Sequence, residues 1–172
     1  MKPVLVKIDV AVADTGRSVG ALFAMADGGT RLNQALEWVF DFSTPGRHKR
    51  ELRFWRPELE ARGGSDPKKC WQYSGMELEA VLKRIVPETH RGYRASEVSE
   101  LFQIRHNTRV KLLGGGGKAG RPTVYARRTL AEFLRQRWLG ALRRPSARGG
   151  FADGPRATRL GAATRAARVI DL

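Results

Sequence analysis

Apolar and polar positions alternate near the start of the chain. Val4, Val6, Ile8, Val10 and Val12 are interleaved with Leu5, Lys7, Asp9 and Ala11. A period of two in β-branched residues predicts a half-buried strand, ended by Asp14, Thr15 and Gly16. Residues 17–26 (RSVGALFAMA) read as a short helix, closed by Asp27-Gly28-Gly29. Thr30 can cap a second helix, along which Leu32, Ala35, Leu36 and Val39 recur at helical spacing. Trp38, Phe40 and Phe42 then alternate with Val39, Asp41 and Ser43, and Leu52 and Phe54 with Glu51, Arg53 and Trp55. Separated by the turn residues Thr44-Pro45-Gly46, the segments 38–43 and 50–55 predict a β-hairpin with a longer loop. With the first strand it makes a small antiparallel or mixed sheet backed by one or two helices. Pro57 ends the second hairpin strand, and Gly63-Gly64-Ser65-Asp66-Pro67 reads as a linker.

Beyond the linker the periodicity becomes helical. Ser74 and Glu77 have capping-box spacing, and Leu78, Val81, Leu82, Ile85 and Val86 form one apolar face before Pro87 stops the helix. Residues 95–102 (ASEVSELF) and 106–113 (HNTRVKLL) predict two short helices joined by three residues. Gly114 to Gly117 cannot continue a helix. Thr123-Val124-Tyr125 is a short β segment, and Thr129 with Glu132 repeats the capping-box spacing ahead of a helix that buries Leu130, Phe133, Leu134 and Trp138. From Arg143 the chain is Arg, Gly, Pro and Ala with few apolar anchors, which predicts a mobile tail; 157–170 could become helical on binding. No internal repeat is visible.

Charge changes this picture by its position. The 172 residues carry 32 Lys+Arg and 17 Asp+Glu, a formal +15. Residues 1–90 hold 14 basic and 12 acidic side chains, whereas residues 91–172 hold 18 and 5, a net +13. Such a block repels itself unless a polyanion neutralises it, so nucleic acid is the leading partner. An anionic membrane surface would require a basic face paired with an exposed Trp/Phe/Leu face. No apolar run approaches the ~18 residues of a membrane span, and no secretion signal opens the chain. A single cysteine, Cys70, excludes an intramolecular disulfide framework and fits a reducing, cytoplasmic setting.

The segment 94–113, RASEVSELFQIRHNTRVKLL, has the shape of a helix-turn-helix. Val98, Leu101 and Phe102 serve the inner side of the first helix, Ile104 the turn, and Val110 with Leu113 the second helix. The outer face of that second helix then offers Arg105, His106, Asn107, Thr108, Arg109 and Lys111. Arg can bridge guanine and Asn adenine in the major groove. The chain continues with a glycine loop bearing Lys118 and Arg121, a short aromatic strand, the pair Arg127-Arg128, and a helix containing LAEFL.

Over residues 92–138 this arrangement resembles the winged helix-turn-helix domains of excisionases and MerR-like regulators. The resemblance implies that the second helix enters the major groove while a basic wing lies along the backbone or minor groove. Lys118, Arg121, Arg127 and Arg128 would then be wing and phosphate contacts. Two positions depart from the pattern. Gln103 stands where the turn usually holds Gly, and Arg109 stands where an apolar residue is expected five positions after Ile104. The nearest apolar residue is Val110, as a second helix that is rotated or starts late would produce.

Other chemistries find less in the chain. Gly114 to Lys118 is no Walker loop, because Ala119 replaces the required Ser/Thr and the loop comes after a helix. His48, His90, His106 and Cys70 are scattered singly, so neither a metal site nor a nucleophilic triad is expected. Asp41 and Glu51, facing each other across the hairpin, could hold Mg²⁺ as in restriction-type nucleases. Arg53, however, stands where a Lys is wanted, and a solvated cross-strand face is the simpler account.

The expectation is thus an α+β protein. A sheet-and-helix module at 1–62 would serve dimerisation or partner docking. A linker at 63–71 leads to a winged helix-turn-helix at 72–142, and an Arg-rich mobile tail occupies 143–172. The expected function is non-catalytic duplex-DNA binding, without cofactor or metal, as a transcriptional regulator or a recombination or replication accessory factor of a mobile element. An RNA-binding ribonucleoprotein subunit is the first alternative, and the Asp41/Glu51 nuclease the second.

Overall fold

The strand expected over Val4 to Val12 ends after two residues. In the computed structural model, which describes residues 3–29, 35–63, 73, 75–115 and 122–142, β1 is Leu5–Val6 and the chain turns at once into helix α1, Ile8–Thr15. Lys7 provides the extended N-cap, and Asp9 lies in the first turn, where a carboxylate favours the positive end of the helix. Gly16 closes the helix at φ 67°, its N–H donating to the Val12 carbonyl at 2.8 Å. β-Branched residues lower helix propensity by no more than about 0.7 kcal/mol each. Burial reverses that preference here: Ala11 is fully buried, and Ile8, Val10 and Val12 pack against the same apolar cluster.

Helix α2, Val19–Ala26, is capped by Ser18, whose hydroxyl accepts from the Ala21 N–H. The helix expected from Thr30 is not continued in the described residues: 30–34 lie outside them, residues 35–38 are not helical, and Val39 belongs to a strand. The hairpin forms as expected. β2, Val39–Asp41, pairs antiparallel with β3, Leu52–Trp55, in the register Val39↔Phe54, Phe40↔Arg53, Asp41↔Leu52. β1 adds to the other side of β3, giving the order β1-β3-β2. The second hairpin strand ends at Trp55, just ahead of Pro57 as expected, and a helix follows at once. Arg56–Gly63 is α3, with Pro57 in the first turn, where a missing N–H costs nothing.

Alternation along these strands divides the interior. Val6, Val39, Leu52 and Phe54 face α1, α2 and α3, where Leu22, Met25, Ala26 and Leu59 complete one cluster. Leu5, Trp38, Phe40, Phe42 and Trp55 face the other way, into a second cluster shared with Val81, Leu82, Ile85, Val98, Phe102, Leu130 and Leu134. This corrects the separate modules expected on either side of 63–71: residues from both sides build the second cluster together, and Met1–Leu139 is one compact unit. Gly140–Leu172 is the second unit, of which the described part is the end of a 3₁₀ turn, Leu139–Leu142. The tail itself, and most of the expected linker, lie outside the described residues.

The remaining elements are α4 (Leu78–Ile85), β4 (Gly92–Arg94), α5 (Ala95–Leu101), α6 (His106–Leu113), β5 (Val124–Ala126) and α7 (Arg127–Arg137). Small antiparallel sheets with helices around them make this an α+β fold. The spacing at Ser74 and Glu77 does not cap α4 as expected: Glu77 is itself the N-cap, and Ser74 lies outside the described residues. Thr129 is not an N-cap either. β5 runs directly into α7, which begins two residues earlier with Ala126 extended at its start. β4 pairs with β5 as Gly92↔Ala126, Tyr93↔Tyr125, Arg94↔Val124.

One buried carboxylate stands out on the α3 side. Glu58 is 2% exposed and accepts from the backbone N–H groups of Glu37 (2.7 Å) and Trp38 (2.9 Å), holding the approach to β2. Burial pushes its carboxyl up to about 6 from an ordinary 4.5, against the pull of those two donors. A raised folded-state value means that the fold prefers the protonated form. The stability this group contributes is full below pH 4.5 and is lost as pH rises through about 6. That shift corresponds to roughly 2 kcal/mol. Unfolding free energies of wild type and Glu58→Gln, measured from pH 4 to 7, should therefore differ by about 2 kcal/mol more at the acid end. Parallel curves would show that Glu58 is not desolvated in solution.

Candidate nucleic-acid interface

The turn between α5 and α6 is built around Gln103. Ile104 N–H donates to the Ser99 carbonyl at 2.9 Å and Gln103 N–H to the Glu100 carbonyl at 3.2 Å, closing α5 in a Schellman motif. Gln103 takes the left-handed position at φ 49°. A long side chain is useful there because its Oε1 accepts the backbone N–H of Lys7 at 3.1 Å. From the other side Arg53, 3% exposed on β3, donates Nε to the Phe102 carbonyl (2.8 Å), one terminal nitrogen to the Gln103 carbonyl (3.0 Å) and the other to its neighbour Leu52 (3.1 Å). Its guanidinium also lies over the Phe42 ring at 5.2 Å. Burial lowers the Arg53 pKa while Glu51 and Asp9 support the charge. The turn between α5 and α6 is thereby fastened to the sheet.

α6 starts at His106, so it is not displaced in register. Arg109 goes inward itself. It is 5% exposed, donates to the Ala95 carbonyl (2.8 Å) and the Ser99 hydroxyl (3.0 Å), and lies 6.0 Å from the Tyr125 ring. Its place among the expected base-reading side chains is corrected: the guanidinium satisfies α5 and has no reach outward. The outward face keeps Arg105, His106, Asn107 and Lys111, all exposed, with Thr108 half-buried. His106 Nδ1 and Asn107 Oδ1 lie 3.3 Å apart. α6 carries no acidic residue, and among the described residues Arg105 and Lys111 form no ion pair.

The wing positions divide. Lys118 and Arg121 lie outside the described residues. At the base of that loop Gly114 and Gly115 adopt φ 71° and 81°, and the Tyr125 hydroxyl donates to the Gly114 carbonyl at 2.8 Å. A side chain at Gly115 would meet Thr123 and the Tyr125 hydroxyl at 3.1 and 3.2 Å. Arg127 is half-buried rather than a free phosphate contact, its Nε donating to the Val86 carbonyl (2.9 Å) and one terminal nitrogen facing Glu88 at 3.7 Å. Arg128 is exposed beside Leu112, Leu113 and Phe133. Sequence reasoning missed two exposed arginines, Arg91 just before β4 and Arg94 at its end. The signal was the GYR run itself, too short to read as a strand.

Two acidic side chains, Glu79 on α4 and Glu132 on α7, are engaged by one arginine. Arg135 binds Glu79 through two bonds of 2.7 and 2.9 Å and Glu132 at 3.0 Å, and it holds the Glu79 carboxyl below its ordinary value. Asp41 and Glu51 do not converge. Phe42 N–H donates to the Glu51 carbonyl, so alternation places Asp41 with Leu52 on one face and Glu51 with Phe42 on the other. Asp41 accepts from Ser43 N–H, and Glu51 pairs with Arg47 at 3.4 Å. Among the described residues no group of three or more His, Cys, Asp or Glu could hold a metal, and no helix is long and apolar enough to cross a membrane. Comparison of the chain with protein-family models, curated proteins and solved structures returns no match.

Proposed function

We propose that the chain is a non-catalytic protein that binds duplex DNA through α6, as a transcriptional regulator or a recombination or replication accessory factor of a mobile element. The observation that carries this reading is the outward face of α6. Four exposed side chains able to meet base edges or phosphates stand on a helix without acidic residues, while Arg109 on its inner side is buried and hydrogen-bonded and the carbonyls of the preceding turn are held by Arg53. A helix fixed from behind and bare in front suits insertion into a groove about 12 Å wide. The +13 of residues 91–172 supplies the sequence-independent attraction.

Gel-shift titrations over a salt series, with duplex DNA, single-stranded DNA and structured RNA in competition, test the proposal. Duplex containing the preferred sequence should win. Arg105→Ala and Asn107→Ala should each cost about 1–3 kcal/mol on that sequence and little on unrelated duplex. Lys111→Ala should weaken every duplex alike and flatten the salt slope by about one unit. If structured RNA outcompetes every duplex, the ribonucleoprotein reading replaces this one.

A further inference from the structure

Helix α6 is anchored by little of its own. Of its eight residues only Arg109 is buried, and its N-cap Arg105 makes no side-chain cap bond. Val110, Leu112 and Leu113 are half-buried and lie in its second half. The first turn, which presents Arg105, His106 and Asn107, therefore takes its direction from the residues before it. There Gln103 Oε1 accepts the Lys7 N–H at 3.1 Å, across 96 positions of sequence. Lys7 joins β1 to α1 in an extended conformation, φ −75° and ψ 168°. At the φ of 49° that Gln103 adopts, glycine would suit the turn better. The cost of a longer residue in that conformation and the net gain from one hydrogen bond are of the same size. The glutamine thus adds little stability. What it supplies is a fixed distance between the start of α6 and the β1–α1 junction.

We propose that Gln103 is a positioning residue for base reading: its bond to Lys7 holds the start of α6 at the angle that sequence discrimination needs. This rests on the reading of α6 as the DNA-contacting helix and names what keeps that helix in place. Arg53 does not duplicate the bond. It grips the Phe102 and Gln103 carbonyls from β3, and a turn held there alone can still pivot about that contact. The second anchor, just beyond the end of β1, removes the rotation. Base contacts require placement within about 0.5 Å, whereas attraction to phosphates acts over a Debye length, about 8 Å at physiological salt. A loosened α6 loses its sequence preference before it loses affinity for duplex in general.

The test compares the full chain on two duplexes of equal length, one selected by wild type from a randomised pool and one unrelated. Gln103→Gly removes the acceptor and eases the turn. Lys7→Pro removes the donor, at a φ that proline adopts and after a strand residue. Each should lower the preference for the selected duplex about tenfold, the equivalent of one base contact. Tm, affinity for the unrelated duplex and its salt slope should stay nearly unchanged. The double variant should lose no more than either single one, because both break the same bond. Lys7→Ala, which drops the charge but keeps the N–H, should match wild type. If Lys7→Pro unfolds the protein, Gln103→Met takes its place, with similar reach and only a weak acceptor, and should show the same tenfold loss. Full preference in Gln103→Gly overturns the proposal, and so does an equal loss on both duplexes, which would make Gln103 merely structural. A wild type without sequence preference is a separate failure, which removes the reading of α6 itself and this inference with it.

Discussion

Arg53→Ala is expected to lose about 3–5 kcal/mol of unfolding free energy, read as a lower urea midpoint at unchanged slope. The size reflects the groups the side chain leaves behind. The carbonyls of Leu52, Phe102 and Gln103 each accept from this guanidinium in a region where the arginine itself is 3% exposed. Buried carbonyls stripped of a donor cost about 1–3 kcal/mol apiece when water cannot reach them. Arg53→Lys keeps the charge but offers no planar fork to span two successive carbonyls, and should recover only part of the loss. A loss below about 1 kcal/mol in Arg53→Ala would show that these carbonyls find water and that the clasp on the turn is dispensable.

Trp38→Ala should be as damaging, again about 3–5 kcal/mol, and its mode of unfolding is the more telling result. Trp38 is fully buried; it stacks on Trp138 at 5.1 Å, meets Trp55 edge-on at 6.3 Å, and donates its indole N–H to the Tyr73 carbonyl. Trp138 lies just beyond α7 and donates in turn to the Glu37 carbonyl. One side chain thus joins the hairpin to the end of α7. Both wild type and variant should unfold in one calorimetric transition, with near-UV and far-UV signals coincident. Two separated transitions would restore the picture of independent modules.

That picture rests on local signals, and their failures share a cause. The hairpin was legible because Trp38, Phe40 and Phe42 alternate with smaller or polar residues, and α5 and α6 because Val98, Phe102 and Ile104 fall at the spacing that a closed hairpin of helices needs. α1 was not legible. Val10 and Val12 favour a strand locally, and only contact with the sheet and α3 makes the helix better. Strands covered on both faces lose the polar half of their alternation, so nothing in Leu52 to Trp55 announced a second core beyond the first. The candidate site was readable at its exposed positions, Arg105 to Asn107 and Lys111. It was misread where an arginine is structural. Arg109 broke the apolar pattern of α6, and a side chain in an inward register position with polar groups of α5 opposite can be satisfied there. The position was the evidence, and residue type misled. Arg127 offered no comparable signal, since the Val86 carbonyl it binds is 41 positions away.

The sheet also bears on how the protein behaves when concentrated. Its outer strands are short: β1 has two residues and β2 three. On the β2 side Phe40 already forms an antiparallel bridge with Trp138. An intruding strand from another molecule would have to displace that tryptophan, which is stacked on Trp38 and 7% exposed, before it found a ladder to extend. Aggregation by strand addition is blocked at the edge where a template would otherwise stand open. A chain with so much β-branched and aromatic sequence in its first 60 residues therefore closes the β2 edge of its sheet with a residue from beyond α7.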